Sequence, residues 1–114
     1  MNDHDDLAFE IEELRQVFGL PLPLSNPDLL DYWFRYDRRD GGSVLLTLSG
    51  YERSVAVIVR GTGGTMSCSL RLARCSSVRV LELERRTLEI VGDTPPLRCF
   101  LALDADDVLA LSVE

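Results

Sequence analysis

Apolar side chains recur with a helical spacing near the start of the chain. From Leu7 to Phe18 an apolar residue returns every three or four positions, with charged residues between, which is the stripe of an amphipathic helix. Asp5 or Asp6 can serve as the N-cap of this helix, and Gly19 can end it. We therefore predict a helix over residues 6–18.

The next segment is rich in proline. Prolines at positions 21, 23 and 27 exclude regular structure over residues 20–27, because proline lacks the backbone N–H and its ring obstructs a helix interior. Pro27, which follows Asn26, can open one short helical turn up to Leu30. We predict a connector over residues 20–27.

From residue 31 the hydrophobic period changes to two. Residues 32–36 and 44–48 alternate, and Asp40-Gly41 between them is a hairpin signal. Further alternating runs are separated by turn residues and lie at 55–59, 68–72, 78–84, 87–91, 98–103 and 108–113. Seven or eight short strands without intervening helices favour an antiparallel meander over residues 31–114.

These elements predict an α+β fold. A chain of 114 residues corresponds to one domain, 1–114. A long meander must bury one face, and the N-terminal helix is the available cover. We expect this helix to pack on a curved antiparallel sheet, meander or sandwich of about seven or eight strands.

Charge narrows the range of partners. Nineteen acidic and 12 basic side chains give a net charge of −7 and a pI near 4.6, so the field of the protein repels nucleic acid and anionic lipid and favours a basic protein. No apolar run is long enough to cross a bilayer. Three cysteines without a CxxC pair predict neither disulfides nor zinc, and a reducing cytoplasm is the expected location.

Catalytic chemistry is not indicated by the residue types. The single histidine, His4, lies near the chain start, and neither the cysteines nor the serines have a histidine neighbour to activate them. Asp104, Asp106 and Asp107 lack the glycine and glutamate of a calcium loop. We predict a chain that is not an enzyme and that has no metal and no cofactor.

Half of the aromatic residues lie in one short segment. Tyr32, Phe34 and Tyr36 share one face of the predicted strand and suit the core, which leaves Trp33 and Arg35 on the other face. Tryptophan and arginine are enriched at binding hot spots. We expect Trp33 and Arg35 to contact a partner.

In size, acidity and layout the chain resembles the bacterial immunity proteins that are paired with polymorphic or contact-dependent growth inhibition toxins. The aromatic segment 31–35, the turn 40–42 and the strand 44–48 carry this resemblance. The resemblance implies that the chain binds a basic toxin domain and occludes it. Alternatives are an acidic chaperone for a secreted effector or a small ligand-binding regulatory module.

The candidate contact set joins acidic residues, which would steer a cationic toxin, to the aromatic and arginine anchors. It comprises Glu10, Glu12, Glu13, Trp33, Arg35, Glu52, Asp104, Asp106 and Asp107.

Overall fold

One helix and eight strands form the part of the chain that the computed structural model describes, which is residues 6–64, 66–93, 97–105 and 108–113. The helix α1 (Ile11–Phe18) comes first. The strands are β1 (Asp31–Asp37), β2 (Ser43–Ser49), β3 (Ser54–Arg60), β4 (Met66–Leu72), β5 (Cys75–Glu82), β6 (Thr87–Gly92), β7 (Leu97–Ala102) and β8 (Leu109–Val113). The predicted α+β class is confirmed.

The strands divide into two four-stranded antiparallel sheets, ordered β1-β2-β3-β4 and β5-β6-β7-β8. Of the arrangements that the sequence left open, a single curved sheet is therefore not confirmed, because the structure contains two sheets. The break lies between β4 and β5, where Arg74 adopts a left-handed φ of 57°. Here the Cys75 N–H donates to the Arg53 carbonyl oxygen at 2.8 Å, and the Arg74 carbonyl oxygen accepts from the Asp93 N–H at 3.0 Å. Because the Cys75 N–H and the Arg74 carbonyl oxygen bond to Arg53 and Asp93, they do not continue a hydrogen-bond ladder between β4 and β5.

Both sheets turn an apolar face into one core, and α1 adds to it. Phe34 on β1 is fully buried, and its ring centroid lies 5.4 Å from that of Phe18 on the helix and 6.2 Å from that of Tyr32. The strand side chains buried with Phe34 alternate with outward ones, as the period of two predicts. They are Val44, Leu46, Leu48, Val55, Val57, Val59, Cys75, Val78, Leu88, Ile90, Cys99 and Leu101.

The helix begins at Ile11, so the predicted start at residue 6 is wrong. The backbone before it bonds to the sheets instead: the Leu7 N–H donates to Gly50 at 3.0 Å, and the Ala8 N–H donates to Ser76 at 3.0 Å. The Val78 N–H returns a bond to the Ala8 carbonyl oxygen at 2.9 Å. These groups cannot serve a helix as well. The N-cap is Glu10, in place of Asp6; Asp5 lies outside the described residues.

The connector of residues 20–27 follows the outer edge of β1. The Leu22 N–H donates to the Trp33 carbonyl oxygen at 2.7 Å, and the Trp33 N–H donates to the Ser25 hydroxyl at 2.9 Å. The predicted helical turn follows as a 3-10 helix at Pro27–Leu29. This segment therefore occupies backbone groups that an edge strand would otherwise present to solvent.

We predict that Phe34→Ala lowers the free energy of unfolding by about 3–5 kcal/mol, because a fully buried ring is lost where the helix meets β1. Urea denaturation followed by circular dichroism measures the loss. Tyr51→Ala is the control, since Tyr51 lies exposed in the β2–β3 turn and its removal should change stability by about 0.5 kcal/mol or less. Equal effects of the two substitutions would contradict a core organised around Phe34.

Candidate protein-binding surface

Trp33 lies on the face of the first sheet that points away from the core. Pairing register places Trp33 beside Thr47, then Ala56, then Arg71 across the four strands. A cleft of about 220 Å³ lies over this row, and Asp31 and Glu52 also line it. We call this cleft the Trp33 cleft. It offers a half-buried indole among mostly small residues.

The Trp33 cleft carries two carboxylates and one guanidinium. Asp31 starts β1, Glu52 lies exposed in the β2–β3 turn, and Arg71 faces them from β4. The Ser49 hydroxyl donates to Glu52 Oε1 at 3.2 Å, which orients that carboxylate. A cationic group would meet a net negative charge here.

Arg35 is the next outward-facing residue along β1 after Trp33. Its Nε lies 2.9 Å from Asp37 Oδ1 in an exposed ion pair. Its neighbours across the sheet are Leu45 and Ile58. Three residues of the candidate set, Trp33, Arg35 and Glu52, thus border the same outer side of the first sheet.

The acidic residues of the N-terminal segment lie elsewhere. Glu10, Glu12 and Glu13 are exposed where α1 begins, a position where their charges favour the helix dipole. Glu12 pairs with Arg15 at 3.0 Å. These three carboxylates do not line the Trp33 cleft.

Asp104 has a structural contact that the sequence does not predict. It lies in the loop after β7 and accepts a hydrogen bond from the Tyr36 hydroxyl of the other sheet. Burial, followed by this hydrogen bond and the Asp104 charge, raises the pKa of Tyr36 above its usual value. Arg86 stacks over the Tyr36 ring at 5.2 Å and lies 3.6 Å from Asp104. Asp104 therefore ties the sheets together; Asp106 and Asp107 lie outside the described residues.

Glu89 is an acidic residue outside the candidate set, and its side chain is only 3% exposed on the outer side of β6. Arg79 of β5 lies 2.8 Å from its carboxylate and Arg98 of β7 lies 3.6 Å from it. A buried carboxylate needs such partners. The signal that could have found it is a single acid between Leu88 and Ile90 in an otherwise apolar strand.

Of the three cysteines, Cys68 is exposed, whereas Cys75 and Cys99 are buried. Burial raises the pKa of both Cys75 and Cys99 to about 11, so each thiol stays protonated at neutral pH and is a poor nucleophile. Within residues 6–64, 66–93, 97–105 and 108–113, no three His, Cys, Asp or Glu side chains could hold a metal ion together. Nor does this part of the chain contain a helix long and apolar enough to cross a membrane.

No protein-family model and no curated protein matches this sequence. Among solved structures, the same fold is found in a chain of the contact-dependent growth inhibition toxin–immunity protein complex from Klebsiella pneumoniae 342. The TM-score is 0.73 at 12% sequence identity, and the match covers 95% of this chain and 96% of that chain. The resemblance to this class of proteins is thus confirmed as a likeness of fold.

Proposed function

We propose that this chain is an immunity protein that binds a cognate contact-dependent growth inhibition toxin and neutralises it by occlusion. The observation that carries the proposal is the fold match with a chain of a toxin–immunity complex, which extends over 95% of the present chain. The proposed place of action is the cytoplasm, where such a complex would intercept a delivered toxin.

Charge and chemistry favour the immunity role over the toxin role. A toxin with enzymatic activity needs groups that transfer protons or attack a substrate. Here Cys75 and Cys99 are held as protonated thiols in the core, and the sequence contains a single histidine, His4. A net charge of −7 suits a protein that covers a basic partner and does not act on nucleic acid itself.

The Trp33 cleft is the proposed anchor for the toxin. An indole supplies a large rigid contact area at low entropic cost, and hot spots of this kind lie at the centre of interfaces. The Asp31 and Glu52 carboxylates at the cleft would receive a Lys or Arg side chain of the toxin. Arg35 extends this contact along β1.

The remaining acidic residues are proposed to act at longer range. Glu10, Glu12 and Glu13 lie at the helix start, and Asp104 lies at the contact between the sheets. Their charges add to the field that attracts a cationic partner, together with Asp106 and Asp107 in the sequence. Steering of this kind raises the association rate more than it slows dissociation.

We predict that Trp33→Ala weakens binding of the toxin domain by about 30-fold or more, the loss typical of an interface hot spot. Isothermal titration calorimetry with a catalytically inactive variant of the cognate toxin domain measures it. Leu83→Ala is the control, because Leu83 is an exposed apolar residue in the turn between β5 and β6, the first two strands of the second sheet. An affinity unchanged by Trp33→Ala would remove the Trp33 cleft from the interface.

We also predict that Glu52→Lys slows association by about tenfold at low ionic strength, with the difference shrinking as salt screens the charge. Stopped-flow mixing with the same toxin domain measures the rate. Glu84→Lys changes the net charge equally, at an exposed residue away from the cleft, and should slow association much less. If both variants slow association alike, net charge alone governs the encounter and the local role of Glu52 is wrong.

A further inference from the structure

The two sheets have four edges, and the N-terminal part of the chain covers two of them. Residues 22–26 bond to β1, with the Asn26 N–H donating to the Asp31 carbonyl oxygen at 2.7 Å. Ala8 bonds to β5 through Ser76 and Val78. Covering an edge in this way prevents another strand from pairing with it. The other two edges are β4 and β8.

Of these two edges, β4 has features that oppose pairing. It carries the charged Arg71, and its register with β3 shifts at Val59 and Arg60, which distorts the strand. In contrast, β8 reads Leu-Ala-Leu-Ser-Val without a charge or a proline. Its register with β7 is regular from Leu97↔Val113 to Leu101↔Leu109. By this comparison β8 is the better template for an added strand.

The backbone of β8 presents alternate residues to the open side. The Ala102 N–H donates to the Val108 carbonyl oxygen at 2.9 Å, so residues 108, 110 and 112 bond towards β7 in the antiparallel pattern. The N–H and C=O groups of Leu109 and Leu111 then point away from β7. Among the described residues, none donates to or accepts from these outward groups.

The side chain of Leu111 also lacks cover. It pairs with the buried Cys99 on the core side of the sheet, yet 55% of its surface is exposed. A further strand beside β8 would continue the core face and place an apolar side chain against Leu111. The same strand would thus satisfy the outward backbone groups and bury an exposed leucine.

We propose that the β8 edge binds an extended strand of the toxin, one with apolar side chains at its centre and Lys or Arg at its ends. This inference rests on the proposed function and adds a second contact to the Trp33 cleft. The charge pattern selects this occupant: Asp104, Asp106 and Asp107 precede β8 in the sequence and Glu114 follows it. A second copy has the same acidic residues on both sides of β8 in its sequence and would be repelled, whereas a segment with Lys or Arg at its ends has the complementary charge.

Amide hydrogen exchange by NMR tests the proposal on the unmodified protein, with and without the inactive toxin domain. In the free protein the Ala110 and Ser112 amides should be protected by β7 and the Leu111 amide should exchange fast. With toxin bound, exchange at Leu111 should slow by about 100-fold, because its N–H gains a partner. A Leu111 amide that stays fast in the toxin complex would overturn the β8 contact and leave the proposed function standing.

The variant Leu111→Pro removes the outward N–H and leaves the bonds of Ala110 and Ser112 to β7, a placement that edge strands tolerate. It should weaken toxin binding by about tenfold or more, whereas Leu111→Thr, which retains the N–H, should weaken it less. Equal losses in both variants contradict backbone pairing. A dimer of the free protein that Leu111→Pro dissociates would make a second copy the occupant. If the unmodified protein does not bind the toxin domain at all, the proposed function itself fails.

Discussion

Burial of one apolar face from each sheet is the constraint on which the rest of the structure depends. A four-stranded sheet with a single apolar face cannot leave that face in water, and here the buried residues of both sheets and of α1 form one core. Phe34 lies in this core, in ring contact with Phe18 of the helix. Because the inward-facing side chains form the core, the outward-facing side chains of β1 to β4 are the ones available for binding.

Contacts at the ends of the strands complement this core. At one end the Tyr36 hydroxyl donates to Asp104, with Arg86 over the ring. At another, Arg53 pairs with Asp93 and donates to the Cys75 carbonyl oxygen at 3.0 Å. These polar contacts have defined geometry, whereas apolar packing alone does not fix how two sheets align. Apart from Glu52 in the β2–β3 turn, the binding residues of the Trp33 cleft therefore lie on strands of a supported sheet.

Local patterns predicted the strands, because apolar residues recur at every second position within a strand, as at Val55, Val57 and Val59. They did not predict where the helix starts or where the sheet breaks. Leu7 and Ala8 are extended because of bonds to Gly50 and Ser76, and Arg74 turns the chain towards Asp93. Those partners lie far away in the sequence, so no local pattern reports them.

The candidate site was predictable to a similar degree. Alternation put Trp33 and Arg35 on the outer face, and in the structure Glu52, another residue of the candidate set, lines the same cleft as Trp33. Asp104 was chosen for its charge alone, yet its hydrogen bond from Tyr36 gives it a part in joining the sheets. The ion pairs of Glu89 were not predictable, because its arginine partners lie on two other strands.

An immunity protein protects a cell from a specific toxin by binding it. Growth of cells that express the active cognate toxin domain, with and without this chain, tests whether this chain does so. Co-expression should restore the growth rate of toxin-free cells, and an unrelated acidic protein should not. Continued growth arrest while the folded chain accumulates in the same cells would contradict the immunity role.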